Sequence, residues 1–546
     1  MFAALKRKAD QVLNDPELRL WLWRRARRLE PMPPAYQPGC PPYLNDPKGY
    51  QGETPMPVTR FPEGASDGPK APLTLRLPGR DIVLDPARPG ALFDEPFDDL
   101  ETMLAAHRFA WVPLQPDADP AWIRALWAAW RARDWNRNDW PWHAYTVAER
   151  AINLITWAQT HGLPGGESDT LTCLADHARA IAQGLEYEGE QGTHNHLANN
   201  GRGLFLIGLA LRLPKALAMG RTILLNEADR LFDASGFLRE GSSHYHLLYL
   251  RNYRQCAEAA ARADDEAAPA LAAIAAKAQA AAGILVSSGG LALIGDISPD
   301  CPPESLISLL IDSDPETKSR PAGWHCFRQG PWYLLAHAAP EGLPFMPGHG
   351  HQDMGGFELH FDSFPVILDL GRGRYGDEGM AAFGREGPAH STLRVDDQDS
   401  AARNKPYYSA AFRRLIAGAP PSWNRNDTGL TLHHHGFERL SGMGSHQRQW
   451  LFDDKGLTIK DHLSGRGSHR IERLLHTTLP VKRNRGDRSI TLSAGDRDIQ
   501  VTAESAIQLS PAKRWTAYGR SEAATTLSIA LDHPLPWTGR IRLEVL

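Results

Sequence analysis

The chain has 546 residues, 42% of them hydrophobic, and a formal net charge of -4. That length suggests two or three domains with sizeable cores, and the near balance of charge gives no global pointer to nucleic acid. Five scattered cysteines without a CxxC pair argue against a disulfide framework and against a cysteine-based zinc site. The 22 histidines and 16 tryptophans stand out instead. Histidine binds metals and moves protons near neutral pH, and tryptophan faces stack on sugar rings as well as filling cores.

The first thirty residues hold no apolar core of signal-peptide length before their charges begin. No stretch reads as the roughly 18 apolar residues of a membrane span. The chain is therefore expected to be cytoplasmic, with no transmembrane segment. Arg24, Arg25, Arg27 and Arg28 beside Trp21 and Trp23 read as a solvated helix face; an anionic membrane or polymer is the other use of such a face. This helix and an irregular Pro/Gly-rich lead-in make up residues 1–96, with a short strand pair at LTLRLPGRDIVLD.

Residues 97–320 read as helices. Trp122, Trp127 and Trp130 recur at helical intervals. WPWHAYTVAERAINLITWAQTHG follows, with Thr146 and Glu149 spaced as a capping box. Five more helical stretches run to PALAAIAAKAQAAAGILVSS. Paired helices with short polar breaks and no fixed repeat predict an (α/α) toroid of divergent hairpins. Residues 321–546 turn to short strands: WHCFRQGPWYLLAHA as a hairpin with a Gln-Gly turn, then STLRVDD, AAFRRLIAGA, RQWLFDDKGLTIKDHL and others to IRLEVL. The expected fold class is α+β multidomain, an N-terminal toroid followed by a C-terminal antiparallel β-sandwich.

Four stretches hold residue types suited to chemistry. In His194-Asn195-His196-Leu197-Ala198-Asn199, a helix opens with Asn195 and Asn199 on one face. Gly201 and Gly203 lower helix propensity there, a cost easier to accept where a ligand or another backbone comes close. In Glu240 to His246, a serine caps a helix on which Tyr245 and Tyr249 share a face. A tyrosine is a poor base at neutral pH unless a cation or shared proton lowers its pKa of about 10; Arg251 and Arg254 are nearby in sequence. Capping and core packing are the structural readings of these two stretches. The third runs from Pro347 to Tyr375. There His349 and His351 precede a half-buried strand, with Phe357, Leu359 and Phe361 alternating against Glu358, His360 and Asp362. Asp362-Ser363 reads as a turn and Val366–Leu370 as the returning strand, which brings Asp369 back toward the histidines. The fourth, Pro388 to Val395, adds His390 and completes a set of two histidines and a carboxylate with His351 and Asp369.

In this order the four stretches resemble the heparinase II/III family of polysaccharide lyases. The matches are Asn195-His196, Glu240 to His246, His349-x-His351-x-Asp353 leading into Gly356-Phe357-Glu358-Leu359, Asp369-Leu370-Gly371 and His390-Ser391-Thr392. Tyr145 to Asn153 resembles the family's first toroid helices. The resemblance covers about residues 100 to 480. Gln352, Gly356 and Ser391 depart from the family's usual residues, which leaves the substrate open.

The resemblance implies β-elimination in a uronic-acid-containing acidic poly- or oligosaccharide. The C5 proton becomes acidic only when the C6 carboxylate is neutralised. Asn195 and His196 take that role, with Asn199 or Arg150 assisting. Tyr245 is the candidate acid, and either Tyr245 or His349 the base. Glu240, Tyr249, Arg202 and Arg374 complete the expected substrate-binding set. A structural zinc on His351, Asp369 and His390 is also implied, with no organic cofactor. A homodimer is left open, and no nucleic-acid partner is expected. The competing readings are a metal-dependent glycan hydrolase and a non-catalytic polysaccharide-binding protein of capsule or exopolysaccharide assembly.

Overall fold

Apolar residues at helical spacing bury the inward faces of the helices in the first half of the chain, and nearly all of His196–Leu211; in the second half, strands carry the core. The computed structural model describes residues 12, 15–31, 39–56, 68–165, 167–189, 192–311, 313–315, 317, 319–338, 348–403, 405, 407–417 and 419–546. Parts of the proline-rich lead-in, and Pro347 at the head of the third motif, lie outside the described residues.

The helices are α1 (Pro16–Ala26), α2 (Leu100–Arg108), α3 (Pro120–Arg131), α4 (Ala144–His161), α5 (Glu167–Gln183), α6 (His196–Leu211), α7 (Pro214–Leu231), α8 (Ser243–Arg262) and α9 (Ala268–Ala282). Asp99, Asp119 and Ser242 cap α2, α3 and α8 through side-chain oxygens that accept backbone N–H bonds. The spacing of Thr146 and Glu149 does not mark a cap. Helix α4 already begins at Ala144, and Thr146 is fully buried inside it. Trp122, Trp127 and Trp130 are buried, and the last two stack with centroids 5.5 Å apart, so they fill the core. Gly201 and Gly203 serve close helix packing. A Cβ on Gly201 would lie 2.6 Å from Ile223 of α7, and one on Gly203 2.7 Å from Ala148 of α4.

Contrary to the expectation from sequence, one described segment, Ala268–Leu285, is long and apolar enough by composition to cross a membrane. In the fold its Leu271, Ala278 and Ala281 are buried in the same cluster as Tyr253, Cys256 and Ala260 of α8.

The lead-in hairpin is β1 (Leu73–Leu77) with β2 (Arg80–Leu84). The later chain opens with an antiparallel sheet of β3 (Trp324–Gln329), β4 (Trp332–His337), β5 (Gly356–Phe361) and β6 (Phe364–Ile367), in that order. Gln329 pairs with Trp332, so the β3–β4 turn is Gly330-Pro331, one residue beyond the expected Gln-Gly. Gly330 takes φ 55°, which glycine adopts without strain.

Strand β5 is buried on both faces, where alternation predicts one. Its polar face meets the linker that follows α9. Glu358 accepts the N–H of Leu293 at 3.2 Å, and His360 bonds Ser287 at 2.6 Å. The second face of the strand is thus the contact between the two domains.

Beyond it, an eight-stranded antiparallel sheet runs from Val481–Arg483 at one edge to Ser422–Asn426 at the other. A four-stranded sheet is ordered Ile507–Ala517, Arg520–Pro534, Ser468–Thr477, Leu393–Val395. Leu359, Ile367, Trp450 and Leu527 share the core that these sheets enclose. Two short helices interrupt the strands: α10 (Gly379–Phe383) and α11 (Ala410–Ala417). The latter replaces the strand expected at AAFRRLIAGA. Phe412 and Ile416, four apart, fall on one helical face and pack on Leu18 and Trp21 of α1. Helix α1 therefore docks one face and leaves Trp23 exposed on the other.

Candidate active site

The backbone itself ties the site together. His349 N–H donates to the carbonyl of Glu240, Asp296 N–H to that of His349, and Ser243 N–H to that of Ile294. These bonds bring the loop before β5, the linker after α9 and the entry to α8 beside the start of α6.

Asn195 immediately precedes α6. Its backbone N–H donates to Glu240 Oε1 at 3.0 Å, and its amide nitrogen to Glu240 Oε2 at 2.6 Å. The same nitrogen lies 2.9 Å from His349 Nε2. Tyr249 donates its hydroxyl to the carbonyl of Asn195 at 2.7 Å. An amide N–H can only donate, so His349 Nε2 accepts and the ring proton sits on Nδ1. That proton meets Asp296 Oδ2 at 3.1 Å. The network thereby presents the basic lone pair of His349 on the Asn195 side.

Asp296 also takes a bond from His351 Nε2 at 2.9 Å and lies 3.3 Å from Arg372. Burial would push its carboxyl up, but the bonds from His349 and His351 and the Arg372 charge hold it far below the carboxylate range.

Tyr245 stacks on His349, with centroids 3.5 Å apart and ring planes 14° apart. Its hydroxyl lies 2.6 Å from that of Tyr375. Burial raises the Tyr245 phenol well above its usual pKa, outweighing the Tyr375 bond, so it is protonated at neutral pH. It is set up to give a proton rather than to take one.

His196 does not join this cluster. Its Nδ1 bonds Glu186 at 2.7 Å, and its ring lies against Tyr145 with centroids 4.6 Å apart. Burial would lower its pKa, but Glu186 reverses the direction and raises it.

Other expected substrate ligands have structural partners. Arg150 is fully buried, bonds His177 and the carbonyls of His107 and Pro141, and lies 3.9 Å from the Trp130 ring. Arg202 pairs with Glu149 at 2.7 Å and bonds Asn199 at 3.2 Å, both among the helices. Glu240 and Tyr249 hold Asn195. Arg374 alone of that set is exposed. Sequence spacing missed Asp296 and Tyr375. The one local sign of Asp296 is Gly295 before it, at φ 83°, where a Cβ would come within 2.4 Å of the Gly241 carbonyl.

The expected metal set changes by one carboxylate. His351, Asp353 and His390 have ligand atoms within 4.8 Å of one another. His351 Nδ1, Asp353 Oδ2 and His390 Nε2 are buried and have no hydrogen-bond partner. Asp369 instead bonds His390 Nδ1 at 2.7 Å, as Asp296 bonds the far nitrogen of His351. Three orphaned donors backed by two carboxylates fit a small divalent cation such as zinc.

Helices followed by antiparallel sheets are the fold of the solved structures that this chain resembles. Residues 314–536 match the family described as heparinase II/III-like, C-terminal. The chain is similar to a crystal structure of heparinase III, with TM-score 0.65 and 16% identity over 83% of this chain and 78% of that one. It is also similar to a heparan sulfate lyase HepC mutant from Pedobacter heparinus, with TM-score 0.54 and 16% identity over 83% and 78%. Among curated protein sequences none matches the chain.

Proposed function

We propose that the protein is a polysaccharide lyase that cleaves uronic-acid-containing acidic poly- or oligosaccharides by β-elimination. The observation that carries this is the pairing of opposite proton roles on stacked rings. His349 has its lone pair fixed by Asn195 and Asp296, and Tyr245 keeps its proton through burial. Elimination needs both: a base for the C5 hydrogen and an acid for the O4 leaving oxygen. In this reading His349 Nε2 takes the C5 proton and Tyr245 Oη donates to O4. The Asn195 amide turns to the C6 carboxylate and supports the enolate that forms. His196, paired with Glu186 and set against Tyr145, lies outside this set.

A zinc ion on His351, Asp353 and His390 would supply a fixed positive charge that locks the loop bearing His349. The side chains of His351 and His390 are 0% exposed. That burial favours a structural metal over the water-activating one a hydrolase needs.

The test is a screen of uronic-acid polymers and oligosaccharides by ultraviolet absorbance. Elimination leaves a conjugated C4–C5 double bond and hydrolysis does not. Absorbance gain with wild type, and none with Tyr245→Phe, is expected. Cleavage seen as new reducing ends without absorbance gain would make the protein a hydrolase.

A further inference from the structure

Helices α4, α6 and α8 start together: Tyr145 touches His196, and Tyr249 bonds Asn195. Further along, Arg202 of α6 reaches both Glu149 of α4 and Gln255 of α8. The three therefore run side by side away from the candidate active site. Along them lies a second cavity of about 760 Å3, walled by residues that include Glu149, Trp157, Arg202, Arg251 and Gln255. The buried contact of Tyr145 and Arg108 with Asp300, at 2.6 and 3.0 Å, stands between this cavity and His196.

Most charges around the cavity pair directly, and Arg108 serves both Glu101 and Asp300. Arg202 is answered by Glu149 at 2.7 Å, Arg254 by Glu258 at 3.2 Å, and Asp300 by Arg108 at 3.0 Å. Among the described residues Arg251 has no carboxylate within ion-pair distance. Its hydrogen bonds go to the neutral Asn252 Oδ1, at 3.3 and 3.1 Å. Burial would lower its pKa, but the carboxylates of Glu149 and Asp300 act on it through space and help hold that pKa up without a direct contact, and the planar fork of the guanidinium matches a carboxylate. The wall also offers stacked rings, Trp157 on His161 with centroids 4.8 Å apart and planes 8° apart. Its volume is in the range of sites for small organic ligands.

We propose that this cavity is a second binding site, for a small acidic saccharide whose carboxylate pairs with Arg251. The choice of a sugar acid rests on the lyase reading; the placement of its carboxylate rests on the guanidinium of Arg251, which bonds the neutral Asn252. Such a site would hold a short acidic sugar, of the kind the reaction releases, apart from the atoms that cleave it.

The probe is free glucuronate, which has no glycosidic bond at C4 to eliminate, titrated calorimetrically into the full chain. Saturable binding is expected, at least tenfold tighter than that of its neutral methyl ester. Arg251→Gln is expected to weaken glucuronate at least tenfold while leaving polymer cleavage and the melting temperature near wild type. Equal binding of glucuronate and ester by wild type would overturn the proposal, and needs no variant. So would unchanged glucuronate binding in a folded Arg251→Gln, or loss of polymer cleavage in that variant, which would merge the cavity with the active site. Arg251-dependent glucuronate binding in a protein that cleaves no polymer would support this site and sink the lyase reading alone.

Discussion

At the scale of single residues, the candidate site works by restricting where protons sit. The Asn195 amide nitrogen can only donate, so His349 keeps its lone pair on Nε2, where it accepts that N–H, and Asp296 holds the proton on Nδ1. Replacing Asp296 with Asn should lower kcat about a hundredfold or more, because the ring loses its fixed orientation and charge partner. KM for a uronic-acid oligosaccharide should change little, and steady-state kinetics check both. Tyr245→Phe should lower kcat by roughly 10²–10⁴, the usual weight of general acid catalysis. Because burial holds that phenol well above its ordinary pKa, its titration should add no alkaline limb to kcat/KM below about pH 10. A limb in that range present in wild type and absent in Tyr245→Phe would contradict this. Arg150 belongs to a different category. Arg150→Ala should destabilise the fold by about 2–4 kcal/mol, by stranding buried carbonyls beside Trp130. Urea denaturation reads that loss, and an unchanged KM separates it from a substrate contact.

At the scale of elements, the helices can converge because small residues let them approach. Gly203→Ala places a methyl 2.7 Å from Ala148. It should cost about 1–3 kcal/mol by overpacking, measured as a fall in the urea midpoint. Docking of α1 on α11 shows how a local pattern is overruled. AAFRRLIA suits a strand by its apolar content, yet Phe412 and Ile416 find Leu18 and Trp21 only when they share one helical face. Strand β5 is the converse case. Its alternation is legible, but the partner of its polar face, a linker 65 to 73 residues earlier, is not.

At the scale of the whole molecule, two carboxylate networks link stability to conditions. Glu186 is lowered to about 2: burial would raise it, but His196 prevails, with help from His143 and Asn200. A depressed carboxyl stabilises the fold above its unfolded pKa, and that share is lost as pH falls through the folded value. The share is on the order of 3 kcal/mol. Equilibrium unfolding against pH should therefore show stability falling between about pH 4.5 and pH 2, and Glu186→Gln should flatten that slope. For the cation site, zinc should raise the melting temperature of chelator-treated protein by mass action, and His390→Ala should abolish the rise.

Much of this protein was determined by its sequence alone. Helical and strand periodicities set the order of a toroid and then antiparallel sheets, because burial acts locally on each pattern. Asn195, Tyr245, His349, His351 and His390 were legible because they stand in short ordered motifs. Only the tertiary structure decided that Asp353 rather than Asp369 faces the two histidines, that Asp296 and Tyr375 join the site, and that Arg150 and Arg202 serve the toroid. Those assignments depend on contacts between segments tens to more than a hundred residues apart. Sequence spacing carries no distance across such gaps; the distance appears only once the two domains have packed.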